Sequence, residues 1–253
     1  MKLGDRILSR GMSGADVAEL QIRLSGFRGT VWDGDFGPGT ELQAVTFQKD
    51  YMHITSPTGA IDAATISALE TFAQQFPVTL GPLECECGHC GGFGQGRFKG
   101  EYEAGMPKTE AYHRYEYPGI HKAILHAFRG LWFYAQKAGF GPPLYTCGYR
   151  CWLRNEQKQR TTKNHMGKAI DIDFALNDGE GKREDLDRCN RVRGLLVEKS
   201  NFQIGWGAAN HKSLEPSDIA PTWVHMDVRC FGPNFLEDKY FVKKEEELNS
   251  MEV

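Results

Sequence analysis

From residue 7 to about residue 72, apolar positions recur at helical spacing and are interrupted twice by glycine-rich turns. Val17, Leu20, Gln21 and Leu24 share one helical face, with Ser13 and Asp16 as capping residues near the start and Gly26 at the end. Asp33-Gly34-Asp35-Phe36-Gly37 is a turn signal, and Thr40 can cap a second helix that carries Leu42, Val45 and Phe47. Thr58-Gly59-Ala60-Ile61-Asp62 repeats the turn, after which Thr65, Ile66 and Leu69 open a third helix. The pattern predicts three short helices joined by two tight turns.

The rest of the chain alternates between periods. Pro77 to about Gly105 is too rich in glycine for regular structure. Pro118 to Gly139 predicts a long helix with Ile120, Ile124, Phe128, Leu131 and Ala135 on one face, stopped by Gly139-Phe140-Gly141-Pro142-Pro143. Leu144-Tyr145-Thr146 begins a strand, and a polar stretch from Arg154 to Arg160 has helical character. Lys168 to Phe174 alternates as a strand does, with Ala169, Asp171 and Asp173 on one side and Ile170, Ile172 and Phe174 on the other. Residues 183–200 form an amphipathic helix, Val224 to Val228 a short strand, and the tail KKEEELNSMEV a charged, frayed helix. Helices and strands mixed in this way predict an α+β domain behind the helical unit.

Composition narrows the function. A chain of 253 residues can hold two modest domains. A formal charge of -3 gives no electrostatic case for nucleic acid. No apolar run approaches the ~20 residues that span a bilayer, so no membrane partner is expected. The N-terminus lacks the apolar stretch of a secretory signal. The reading is a monomer made in the cytoplasm, reaching any outer substrate without the usual export route.

The seven cysteines are many for a cytoplasmic enzyme, and the odd number leaves at least one outside any disulfide set. Cys85, Cys87 and Cys90 cluster beside His89, while Cys147 and Cys151 lie close together further on. Cys87-x2-Cys90 with Cys147-x3-Cys151 could form a four-thiolate zinc site, or disulfides could pin the glycine-rich segment to the core. Either role is structural.

The chemistry centres on His165, which stands just before a strand bearing Asp171, and on His225 in a second strand. Two imidazoles and one carboxylate leave a fourth position open, the ligand set of a catalytic rather than a structural zinc. Zinc so held lowers the pKa of a bound water and polarises a scissile carbonyl. The chain has eight histidines, so spacing alone is a weak signal.

Two resemblances sharpen it. Leu8, Gly11, Gly14, Asp16-Val17, Leu20-Gln21, Leu24, Asp33-Gly34, Phe36-Gly37, Thr40, Ala44-Val45, Phe47-Gln48, Gly59, Thr65 and Leu69 resemble, in order and spacing, the peptidoglycan-binding domain of cell-wall hydrolases. Trp32, Phe36 and Tyr51 are then aromatics that could stack on glycan. From Pro118 to Gly232 the chain resembles the VanX-like D-alanyl-D-alanine carboxypeptidase family of zinc metallopeptidases. Gly167, Ala169 and Asp171 match its Gly-x-Ala-x-Asp, His225 in TWVHMDVR matches its last ligand, and Cys147-Gly148-Tyr149-Arg150 resembles its Ser-Gly-Tyr-Arg.

That resemblance implies zinc on His165, Asp171 and His225, with Arg150 stabilising an oxyanion or a substrate carboxylate. It also departs from the family. Asp171 follows His165 by six residues rather than seven, which keeps Asp173 as an alternative ligand. The family's general-base positions hold Thr222 and Trp223, so the base must come from Asp227, Asp173, Asp218 or His211, Asp227 being equally able to orient a ligand. The implied architecture is a three-helix peptidoglycan-binding domain (1–76), a glycine- and cysteine-rich linker (77–105), a zinc peptidase domain with an antiparallel sheet (106–240) and a charged tail (241–253). The implied activity is cleavage of an amide bond in peptidoglycan, of D-Ala-D-Ala carboxypeptidase or L-Ala-D-Glu endopeptidase type, acting at the bacterial wall in the periplasm. The combination resembles phage endolysins; an injected antibacterial effector, or a wall-binding protein with a degenerate metal site, are the alternatives.

Overall fold

The computed structural model describes residues 2–29, 32–95, 116–160, 164–176, 186–205 and 212–251. Three helices open the chain: α1 (Ala15–Arg23), α2 (Pro38–Asp50) and α3 (Ala63–Gln75). Their glycine-rich turns are fastened by two glutamines. Gln21 accepts from the backbone N–H groups of Asp33 and Gly34, both at 2.9 Å, and donates to Thr40 Oγ1 at 2.8 Å. One repeat later, Gln48 accepts from Gly59 N–H at 2.9 Å and donates to the Ala60 carbonyl at 2.7 Å. The Leu-Gln and Phe-Gln pairs therefore close turns. Thr40 serves Gln21 instead of capping α2, which starts at Gly37-Pro38, while Asp62 caps α3 by accepting from Thr65 N–H.

Two of the aromatic candidates for glycan stacking belong to the core. Trp32 and Phe36 are buried, the former among Tyr240, Phe235, Phe231 and His121. Tyr51 is half-buried, stacked on Phe47. Leu42, by contrast, is exposed.

The second unit begins with β1 (Ile120–His121) and runs directly into α4 (Lys122–Lys137). β2 (Phe140–Cys147), α5 (Trp152–Gln157), β3 (Ala169–Leu176), α6 (Leu186–Lys199), β4 (Val224–Asp227), β5 (Phe241–Val242) and α7 (Glu245–Asn249) follow. The strands form an antiparallel sheet in the order β2-β3-β4, and β1 pairs with β5. This is an α+β arrangement. The apolar side of β3, Ile170, Ile172 and Phe174, is fully buried against α4 and α6 with Ile124, Phe128, Val192 and Leu196. The opposite side is left for chemistry.

Helix α4 is apolar on both faces, as a helix between two layers must be. Phe133 and Tyr134 belong to the core of the first unit, with Phe27, Phe47 and Phe72. The units meet closely where Gly26 crosses Gly130; a Cβ on Gly130 would lie 2.6 Å from Gly26 Cα. Beside this crossing, buried Glu19 of α1 pairs with Arg23 at 2.9 Å and Lys122 at 3.3 Å.

Several segments differ from the sequence expectation: β2 begins at Phe140, within the stretch read as a helix stop, and Ile120–His121 is strand before α4. The tail is packed: β5 joins β1, Leu248 is fully buried, and the carbonyls of Asn249 and Ser250 accept from Arg23. Its charges face outward while one leucine and a strand edge anchor it. The segment after Pro77 also contributes core, through Leu83, Cys85, Cys87 and Phe93. No helix among the described residues is long and apolar enough to cross a membrane.

Candidate metal centre

Strand register builds the centre. Cys147 of β2, Asp171 of β3 and His225 of β4 stand directly opposite one another, forming one row across the sheet. The row lies on the face turned away from the apolar core, as the alternation of β3 requires. His165 reaches the row from the turn before β3. Gly167 makes that turn possible: it has φ 112, and any side chain on it would run into the Gly119 carbonyl and Tyr117.

The two histidines converge on one carboxylate. His225 Nδ1 lies 2.7 Å from Asp171 Oδ1, and His165 Nε2 lies 3.4 Å from Asp171 Oδ2, with ring centroids 5.3 Å apart. Each ring is oriented through its other nitrogen. His165 Nδ1–H donates to the Gly148 carbonyl at 2.9 Å. His225 Nε2 lies 2.9 Å from Asp227 Oδ2. Asp227 is in turn fully buried, paired with Arg229 Nε at 2.6 Å and accepting from Arg229 N–H. Both rings thus have one nitrogen committed to the protein and one directed at Asp171, the arrangement in which histidines ligate metals.

Electrostatics tie the three groups together. Burial opposes charge on His165, but Asp171, with help from Cys147, outweighs it and holds the ring up at about 10. For His225 burial is again outweighed, by hydrogen bonds that the ring donates to Asp171 and Asp227, and the ring stands at about 9. Burial likewise disfavours the Asp171 carboxylate, yet the two rings hold it well below the usual carboxylate range. A buried anion that stabilises two protons this strongly would also stabilise a cation in their stead.

The other site residues divide sharply. Asp173 shares the strand face with Asp171, but Arg188 of α6 grips it through two contacts of 3.1 Å. Asp227 stands behind His225, on the ring nitrogen turned from Asp171, which is the orienting position. Asp218 is exposed on the loop before β4, and His211 lies outside the described residues. Arg150 adjoins the centre, its N–H donating to the His165 carbonyl at 2.8 Å, and its Nε is buried with no hydrogen-bond partner among the described residues.

Three features escaped the sequence reading. Cys147 was grouped with the thiolate set, but its sulfur, a His165 ring nitrogen and an Asp171 oxygen all lie within 4.8 Å of one another. Its place in Cys-Gly-Tyr-Arg, next to Arg150, was the available signal. Glu215, buried 3.9 Å from His225 Nε2 and 3.6 Å from Arg229, carried no sequence signal. Arg193 of α6 donates to the carbonyls of Glu215, Ala220 and Trp223, fixing the loop that delivers His225.

A separate cluster, Cys85, Cys87, Cys90 and Cys151, gathers four sulfurs within 4.8 Å and could bind a metal ion. Cys85 takes the place that the sequence reading gave to Cys147, because Cys147 faces Asp171 from β2 while Cys151 turns away to cap α5.

No family model matches the chain, and neither does any of the curated proteins.

Proposed function

We propose that this chain is a zinc-dependent peptidase that hydrolyses an amide bond in the peptides of bacterial peptidoglycan. The observation that carries the proposal is the convergence of His165 and His225 on Asp171, each ring oriented by a second partner. Two neutral imidazole nitrogens and a carboxylate are the donor set of a catalytic zinc.

Zinc held there would supply a Lewis acid that polarises a scissile carbonyl and acidifies a water. The protein's own groups do the remainder. Asp171 supplies the negative charge, and Asp227 and the Gly148 carbonyl keep the two rings aimed at it. Arg150, whose backbone adjoins His165 and whose Nε is buried with no hydrogen-bond partner among the described residues, would serve a substrate carboxylate or a carbonyl oxygen gaining charge. Cys147 and the slightly exposed edge of Asp171 line the approach.

The resemblance of residues Leu8 to Leu69 to a peptidoglycan-binding domain supports the choice of polymer. Tyr51, His53 and Lys137 border an open cavity of about 590 Å³ between α3 and α4, where a saccharide could lie. Such a unit concentrates the enzyme on an insoluble substrate. Purified wall sacculi test the reading: turbidity should fall with added protein, stop with chelator and resume with zinc. Loss of turbidity that ignores chelator, or none at all with zinc supplied, contradicts it.

A further inference from the structure

We propose that Cys85, Cys87, Cys90 and Cys151 bind a second, thiophilic divalent cation, and that this ion clamps the segment bearing Gly148 and Arg150 against His165. The metal site stands alone; the consequence for His165 rests on the function proposed above.

The geometry favours an ion over a pair of disulfides. All four sulfurs lie within 4.8 Å of one another, whereas two bridges would draw them into two pairs of about 2 Å each. Four thiolates at about 2.3 Å from a common centre sit about 3.8 Å apart, which such a cluster reaches with small shifts. Backbone N–H groups are directed at the sulfurs. Cys87 Sγ accepts from His89 at 3.3 Å and from Cys90 at 3.2 Å, Cys85 Sγ from Cys151 at 3.4 Å, and Cys151 Sγ from Arg154 at 3.4 Å. Such donors offset charge on a thiolate, and a Cys-x2-Cys turn with Gly88 at φ 74 is how short zinc-binding loops fold back on the metal. Tetrahedral four-sulfur sites select zinc or iron among common metals.

The cluster joins two segments of the chain that also touch beside it. Cys85, Cys87 and Cys90 come from the loop after α3, and Cys151 from the end of the Cys147–Cys151 segment. Beside the sulfurs, Tyr149 N–H donates to the Leu83 carbonyl at 2.7 Å. Gly148 packs so tightly on Leu83 that a side chain there would overlap its backbone. Gly148 then accepts from His165 Nδ1, and Arg150 N–H donates to the His165 carbonyl. An ion at the cysteines would therefore fix the strip that orients one ligand of the other centre.

Metal content of the full-length protein, prepared under reducing conditions, tests both parts. The wild type should carry two equivalents of zinc. Cys87→Ser/Cys90→Ser and His165→Ala/His225→Ala should each carry one. With cobalt substituted, the intense sulfur-to-cobalt absorption of a thiolate-rich site should persist in the histidine variant and fall several-fold in the cysteine variant, where Cys147 alone offers a sulfur to the remaining centre. Should the cysteine variant not fold, a mercurial titration of the wild type gives the same answer: one zinc should be released per four thiols. The clamp further predicts that the cysteine variant binds zinc at its remaining site about ten- to a hundredfold more weakly, the range for lost orienting partners. Wild-type protein carrying a single equivalent of zinc, or cobalt absorption indifferent to Cys87 and Cys90, would overturn the second site. Unchanged affinity at the remaining site would overturn the clamp. A protein with both metals but no action on peptidoglycan leaves the cysteine site standing and removes the peptidase reading.

Discussion

His225 and Asp227 lie on the same face of β4, and the ring's Nε2 is 2.9 Å from the carboxylate, on the side away from Asp171. Asp227 is thereby a positioning residue. Asp227→Asn keeps the shape but removes the charge, and should weaken zinc binding about ten- to a hundredfold. Asp171→Ala should abolish binding at that centre altogether. Competition titration against a metal-sensitive dye separates the two outcomes; equal losses would return Asp227 to the metal itself.

Asp173 carries a different burden. Its removal would break the buried, two-contact pair with Arg188, a destabilising change. Asp173→Ala should therefore lower the melting temperature strongly while zinc still binds at His165, Asp171 and His225. Loss of that zinc with unaltered stability would make Asp173 the ligand in place of Asp171.

The two units should unfold as one. Gly130→Ala raises helix propensity by about 1 kcal/mol, but its Cβ meets the Gly26 backbone at 2.6 Å, and overpacking costs about 1–3 kcal/mol. The expected net effect is a lower melting temperature in a single calorimetric transition. A chain shortened to begin near residue 77 would expose Phe133 and Tyr134 and should fail to unfold cooperatively. Two separate transitions in the intact protein would count against a shared core.

Acid should destabilise the fold through a histidine outside the metal-ligand set. His121 is fully buried, capping α4 and donating from Nε2 to the Phe235 carbonyl at 2.8 Å, and burial lowers its pKa from 6.5 to about 4. Its folded pKa is below its unfolded one, so its contribution is complete above about 6.5. It is lost as pH falls towards 4, by about 3 kcal/mol in all. Buried His126 is displaced in the same direction. Denaturant melts from pH 7 to pH 4 should show this decline, and His121→Asn, which can still cap the helix, should flatten it. An unchanged slope in that variant would refute the assignment.

Much of this was legible in the sequence. The alternation of Lys168 to Phe174 told which side of β3 is buried, and the spacing of Leu20-Gln21 and Phe47-Gln48 marked the helical repeats. Strand spacing could not separate Asp171 from Asp173, because residues two apart share a face; only Arg188, brought by α6, separates them. Cys85 could not be chosen over Cys147 because a return of the chain after α3 decides which sulfurs meet. Trp32 could be either a core or a glycan-stacking aromatic by sequence, because Phe235 and Tyr240, which help bury it, come some two hundred positions later. The charged tail looked frayed because one leucine and two strand residues are too few to show a period.

The most direct test of the account is mass spectrometry of the fragments released from purified peptidoglycan. Zinc-loaded protein should yield products cut at one peptide bond, with glycan strands intact, and neither His225→Ala nor chelated protein should yield any. Fragments cut within the glycan, or the same peptide products from His225→Ala, would contradict it.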